Sequence, residues 1–209
     1  MRLYDYPRAP NPMRVNIFLN EKGIELEKFF LDLGKNSNLE KNYLKINPSG
    51  TVPYLYINEN KGISESIAIC RYFEAVHPNP PLFGKNAYEQ GKVEMWRRKA
   101  ENDGIIPIGE SFRNSAKGFK GRALAGPNSF DQIPELVDRG KIRSSLFFDD
   151  LDNQLSKHQM VAGKNFSIAD IDAYVTCYFA GWLKIDPTIN RPNIVRWKEE
   201  LKSRSEVYP

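Results

Sequence analysis

The apolar positions of the first part of the chain switch repeatedly between a two-residue and a helical period. Residues 3–6 alternate in the manner of a short strand. Asn11 followed by Pro12 marks a helix start, because Asn is a favoured N-cap and Pro suits the first helical position. Val15, Phe18 and Leu19 then supply an apolar face at helical spacing. Gly23 followed by Ile24 predicts the stop, with Ile24 folding back onto the helix. Residues 29–33 read as a second strand. A strand–helix–strand opening favours a parallel pair with a right-handed crossover.

A polar stretch over 34–39 leads into a short helix over 40–46, and Asn47-Pro48-Ser49-Gly50 is dense in turn residues. A third strand over 53–57 turns tightly through 58–62 into 63–64, which predicts an antiparallel hairpin. A helix over 65–76 ends at His77-Pro78. The order β-α-β-α-β-β-α is that of a thioredoxin-like domain, assigned to residues 1–77. Pro78-Asn79-Pro80-Pro81 opens a stiff linker over 78–87. Beyond it the pattern is helical: 88–116, bent near Pro107, then 133–157, 168–183 and 193–203, with a long loop at 118–130. The fold class is therefore an α/β domain followed by an all-α helical bundle over 88–209.

Composition narrows the function classes. Hydrophobic residues at 41 % and charged residues at 27 % describe an ordinary globular chain. No apolar run approaches the roughly 18–20 residues that span a bilayer, and the N-terminus lacks a signal-peptide core. The two cysteines, Cys70 and Cys177, fall at apolar helical positions and form no framework, so a reducing cytoplasm is expected. The net charge of +4 is scattered: Arg97-Arg98-Lys99 and Arg139-Gly140-Lys141 extend into no stripe, which argues against nucleic-acid or membrane partners. His77 reads as a helix end and His158 as surface, leaving no basis for a metal site.

Three motifs carry more. Asn47-Pro48-Ser49-Gly50-Thr51-Val52-Pro53 is by itself a turn before a strand. Ile63-Ser64-Glu65-Ser66-Ile67-Ala68-Ile69 is by itself a polar pair capping a helix. Phe166-Ser167-Ile168-Ala169-Asp170-Ile171 is a capping box, Ser167 with Asp170, flanked by a hydrophobic staple. In this order the three resemble the glutathione transferases over nearly the whole chain. The resemblance implies a cis bond before Pro53, with the backbone of Val52 pairing to glutathione's cysteine as an added strand does. It implies that Ser66 and the helix N-terminus bind the γ-glutamyl carboxylate while Glu65 faces the ammonium. The third motif is structural in that family.

The same resemblance places the group that stabilises the glutathione thiolate in Tyr6-Pro7-Arg8-Ala9-Pro10-Asn11-Pro12-Met13-Arg14-Val15. Many relatives carry Ser, Thr or Cys where this chain has Ala9, which donates nothing. Asn11 is the best candidate, since a capping Asn accepts through its oxygen and still has an NH₂ to offer sulfur. The local pattern resembles the Nu-class branch, which reduces disulfides with glutathione. Asn11 as a cap alone, Tyr4 as donor and the bare helix N-terminus remain alternatives. By resemblance, Asn38 contacts the glycine carboxylate and Asp103 reaches the γ-glutamyl ammonium in the partner subunit. Ile105, Ile108 and Phe112 share a helical face that is either core or an apolar co-substrate pocket. The expectation is a cytoplasmic homodimeric enzyme with glutathione as co-substrate and neither metal nor nucleotide. It conjugates glutathione to small apolar electrophiles, a detoxifying chemistry. The alternatives are a glutathione-dependent disulfide reductase or peroxidase on the same site, or a non-catalytic protein-interaction module.

Overall fold

The computed structural model describes residues 1–204 and divides into two compact units. One comprises Met1–Pro80 with Leu124–Phe130; the other comprises Pro81–Ala123 and the chain from Asp131 onward. Residues 205–209 of the expected helical domain lie outside the described residues. The N-terminal unit contains β1 (Arg2–Asp5), α1 (Pro10–Glu21), β2 (Glu27–Phe30), α2 (Lys41–Ile46), β3 (Tyr54–Asn58), β4 (Lys61–Ile63) and α3 (Ser66–Val76). Its four-stranded sheet is ordered β2-β1-β3-β4, with β1 parallel to β2 and β3 antiparallel to both β1 and β4.

Two boundaries differ from expectation in ways that matter. The second strand pairs Glu27 with Arg2 and ends at Phe30, not at 33. Just beyond it, the Asp32 carboxylate accepts from the Gly34 N–H at 2.9 Å and starts a 3₁₀ turn. The first helix begins at Pro10, with extended Ala9 as its N-cap and no side-chain cap. Pro10 has the φ a first helical residue needs and lacks the N–H that would go unbonded there, so Asn11 sits inside the helix and caps nothing.

Asn16 on α1 donates from Nδ2 to both oxygens of Asp5, at 3.1 and 3.0 Å, which fixes the face of β1 that meets this helix. Strand alternation then puts Leu3 on that face and Tyr4 on the other. Leu3, Val15, Phe18, Leu55, Ile69 and Phe73 are all buried. Tyr4 packs instead at 5.3 Å from the ring of Tyr43 on α2 and 5.3 Å from that of Phe29. At 8 % exposure it is a core residue. The end of α1 behaves as Gly23 predicts. Gly23 is left-handed at φ 63°, its N–H reaches the Asn20 carbonyl at 3.0 Å, and the Ile24 N–H reaches that of Leu19 at 2.9 Å. Next to it the buried Lys22 ammonium donates to the carbonyls of His77 and Pro80 and pairs with Glu74, tying α1 to the exit of α3.

The helical unit contains α4 (Ala87–Lys99), α5 (Ile106–Ser115), α6 (Glu135–Leu155), α7 (Ile168–Ala180) and α8 (Pro192–Arg204). The single helix expected over 88–116 is interrupted by a π-helical segment, Ala100–Ile105, whose closing bond runs from the Ile106 N–H to the Glu101 carbonyl. Pro107 follows at once and has no N–H, so ordinary α-helical bonding cannot run through this point. A Cβ on Gly104 would lie 2.5 Å from Thr176 Cγ2, so α7 needs a glycine here to approach. Nearly all of α7 is buried, and it starts with the Ser167–Asp170 capping box. Among the described residues, no helix is long and apolar enough to cross a membrane.

Candidate functional site

The loop before β3 is braced from inside. Tyr43 Oη and Asn47 Nδ2 donate to the Thr51 carbonyl at 2.6 and 2.8 Å. Asn38 Nδ2 donates to the Gly50 carbonyl at 2.6 Å. Burial pushes the Tyr43 phenol up to about 12, so it remains a donor at neutral pH. With the two preceding carbonyls drawn inward, Val52 is left with an N–H and a C=O that take no hydrogen bond among the described residues. The Val52-Pro53 bond is cis. Asn38, expected to meet a carboxylate, is instead 8 % exposed with its amide nitrogen spent on Gly50. It holds the loop.

At the start of α3, Glu65 has φ 68° and ψ 117°, a conformation that L-residues rarely adopt and that costs about 1–3 kcal/mol. Glu65 is exposed at the N-cap position, yet its side chain makes no capping bond. Ser66 does not cap either. Its hydroxyl is 4 % exposed, accepts from Arg14 Nη1 at 2.6 Å and donates to Asn11 Oδ1 at 3.3 Å. The helix-capping account of the pair is therefore not what the fold uses.

Arg14 Nη1 also donates to Asn11 Oδ1, at 2.7 Å. A guanidinium has no acceptor, so the atom of Asn11 facing it must be the oxygen, and the NH₂ is turned away. Arg14, 2 % exposed, was not among the residues that sequence motifs pointed to. A signal for it exists: a basic residue stands within the buried run of α1, among Val15, Ile17 and Phe18. The helix N-terminus itself is a poor anion site. Of its first three residues only Asn11 has an N–H, because Pro10 and Pro12 have none, and the Met13 N–H is bonded to the Ala9 carbonyl at 2.9 Å.

Asp103 lies in the helical unit, where its carboxylate accepts from Arg143 Nη2 at 3.1 Å. Ile105 and Ile108 are core at 8 % and 0 % exposure, whereas Phe112 is half-buried against Phe179 and the exposed Trp182. Cys70 and Cys177 are buried, and burial pushes the Cys177 thiol up to about 12, so it is no nucleophile.

Hydrogen bonds thus join Asn11, Arg14 and Ser66, and exposed Glu65 and the unbonded peptide groups of Val52 lie on the same unit. Known proteins match the chain over nearly its whole length. Residues 1–75 match the glutathione S-transferase N-terminal domain and residues 126–205 the glutathione S-transferase C-terminal domain. Glutathione S-transferase 2 of Saccharomyces cerevisiae is 30 % identical over 99 % of this chain and 88 % of its own length. Maleylacetoacetate isomerase of Dictyostelium discoideum is 29 % identical over 95 % of this chain and 87 % of its own. The crystal structure of a Gtt2-class glutathione S-transferase of Vibrio parahaemolyticus superposes with a TM-score of 0.83 at 32 % identity, covering 100 % of this chain and 95 % of that one. The chain belongs to the glutathione S-transferase family, in which glutathione is the co-substrate.

Proposed function

We propose that the protein binds glutathione on the N-terminal unit and uses its thiolate on small apolar electrophiles. The observation that carries this reading is the Asn11–Arg14–Ser66 cluster, in which side chains from two helices meet with their polar atoms already oriented. The γ-glutamyl carboxylate is taken by the Ser66 hydroxyl and nearby N–H groups, which requires the long 3.3 Å bond from Ser66 to Asn11 to be released. Glu65 faces the ammonium, and Val52 adds the cysteine backbone in the manner of a strand. The Asn11 Nδ2 donates to the sulfur. Ala9 at the N-cap, with no hydroxyl or thiol, favours a second reading, reduction of disulfides with glutathione at the same site.

Calorimetric titration with glutathione tests the binding half. Ser66→Ala and Glu65→Ala are each expected to weaken affinity roughly ten- to hundredfold, the equivalent of one charge-assisted hydrogen bond of about 1.5–3 kcal/mol. Unchanged affinity in both variants defeats this assignment. Parallel assays with chlorodinitrobenzene, a glutathione mixed disulfide and maleylacetoacetate then separate conjugation, reduction and isomerisation. Activity in none of them, with glutathione still bound, favours an interaction module.

We further propose a homodimer. In the helical unit Ile142 and Leu146 are 62 % and 61 % exposed one turn apart on α6, and Met95 and Ile106 are 42 % and 44 % exposed. Large apolar side chains left in water at that spacing favour burial against a second copy. Light scattering is expected to return twice the 24.0 kDa chain mass; the monomer mass across a wide concentration range rejects it.

A further inference from the structure

Arg14 is a cation on the buried side of an otherwise apolar helix face, 2 % exposed, and its position needs a reason. Burying a guanidinium is expensive unless its donors are used. Here Nη1 bonds both Asn11 Oδ1 at 2.7 Å and Ser66 Oγ at 2.6 Å, joining the first turn of α1 to the first turn of α3. We infer that Arg14 is the positioning residue of the site: it holds the Asn11 amide with Nδ2 toward the sulfur and holds Ser66 ready for the carboxylate. The inference rests on the glutathione reading above and adds to it a dependence of both the γ-glutamyl carboxylate and the cysteine sulfur on one buried side chain.

Three features make this more than packing. A donor-only group dictates the orientation of the Asn11 amide, which a hydrocarbon of equal volume cannot do. Because the bond from Ser66 to Asn11 is long at 3.3 Å, Ser66 can turn its hydrogen to a carboxylate while Arg14 still holds both oxygens. Lastly, Pro10 and Pro12 deprive the helix start of backbone donors, so correct aim of the Asn11 side chain carries more of the stabilisation of the sulfur anion.

The test uses the full chain and two variants, Arg14→Met and Arg14→Lys. Each is read by thermal unfolding, by calorimetric titration with glutathione, and by the ultraviolet absorbance of bound thiolate as a function of pH. Arg14→Met is expected to lose about tenfold in affinity, and the pH at which bound glutathione ionises is expected to rise by about one unit, a tenfold change in the ionisation equilibrium. Arg14→Lys keeps a charge but not the planar fork, so it moves both quantities the same way by about half as much. Should Arg14→Met fail to fold, Arg14→Lys decides alone. A folded variant with wild-type affinity and a wild-type ionisation curve overturns the inference and leaves the glutathione reading standing. A wild-type chain that takes up no glutathione overturns both.

Discussion

Replacing Asp170 by alanine is expected to lower stability by about 3–5 kcal/mol, the cost of breaking a buried charged network from one side. Asp170 is fully buried at the head of α7. One carboxylate oxygen accepts from the Val161 N–H at 2.8 Å and the Trp197 indole at 3.1 Å. The other accepts from the Ser167 N–H at 3.0 Å and the Ser167 hydroxyl at 3.1 Å. Removal leaves donors from three parts of the helical unit without an acceptor, each worth about 1–3 kcal/mol. For a chain of this size, with roughly 2–4 °C per kcal/mol, a fall of about 10 °C in Tm follows. The pH dependence has the opposite sign to the usual carboxylate. Burial outweighs the hydrogen bonds and pushes the Asp170 carboxyl up to about 6, above the unfolded value of about 3.9. The folded state therefore takes up a proton first, and the contribution of this group to stability grows as pH falls through 6 toward 4. The Tm gap between wild type and Asp170→Ala should widen from pH 7 to pH 5. A gap that narrows on acidification places the native carboxyl below its unfolded value and rejects this account.

The capping box was readable because all its parts are local, and the same holds for Gly23, where a glycine after an apolar periodic run has one common meaning. The parallel start followed from the strand–helix–strand order and the later hairpin from the tight turn at 58–62. What escaped was decided by contacts between distant residues. The sequence pointed to Asn11 as N-cap, but Pro10 supplies a helical φ one residue earlier and leaves Ala9 in that position. Asn38 looked available until the fold put the Gly50 carbonyl against its amide. The bond of Arg14 to Ser66 spans 52 positions, so no local window along the chain contains both. Pro107 signalled an interruption, but the form it takes, a π-helical segment over Ala100–Ile105, has no signature of its own in the local sequence.

Asn11→Ala is expected to cut the rate of glutathione conjugation by up to about 10²–10³, by analogy with the loss of one donor to an oxyanion, while glutathione affinity changes far less. The asymmetry follows from chemistry. An amide N–H gains little from a neutral thiol and much from a thiolate, so its loss falls on turnover. Asn11 does not cap α1, since Ala9 holds that position and no side-chain cap exists, so any loss of stability comes from removing an acceptor of the buried Arg14 and not from the helix start. Unfolding of the variant in parallel separates that loss from the catalytic effect. Asn11→Asp sharpens the test. A carboxylate still accepts from Arg14 and Ser66, preserving the cluster, but it has no N–H and sets a negative charge beside the sulfur. Its bound glutathione should ionise at higher pH than in wild type, with turnover as low as in Asn11→Ala or lower. Ala9→Ser approaches the same point from the other side, by adding a hydroxyl at the N-cap, and should raise turnover if a missing donor limits the reaction. If Asn11→Ala and Asn11→Asp both keep wild-type turnover, Asn11 does not hold the thiolate. The single backbone N–H that the two prolines leave at the helix start then becomes the donor to examine.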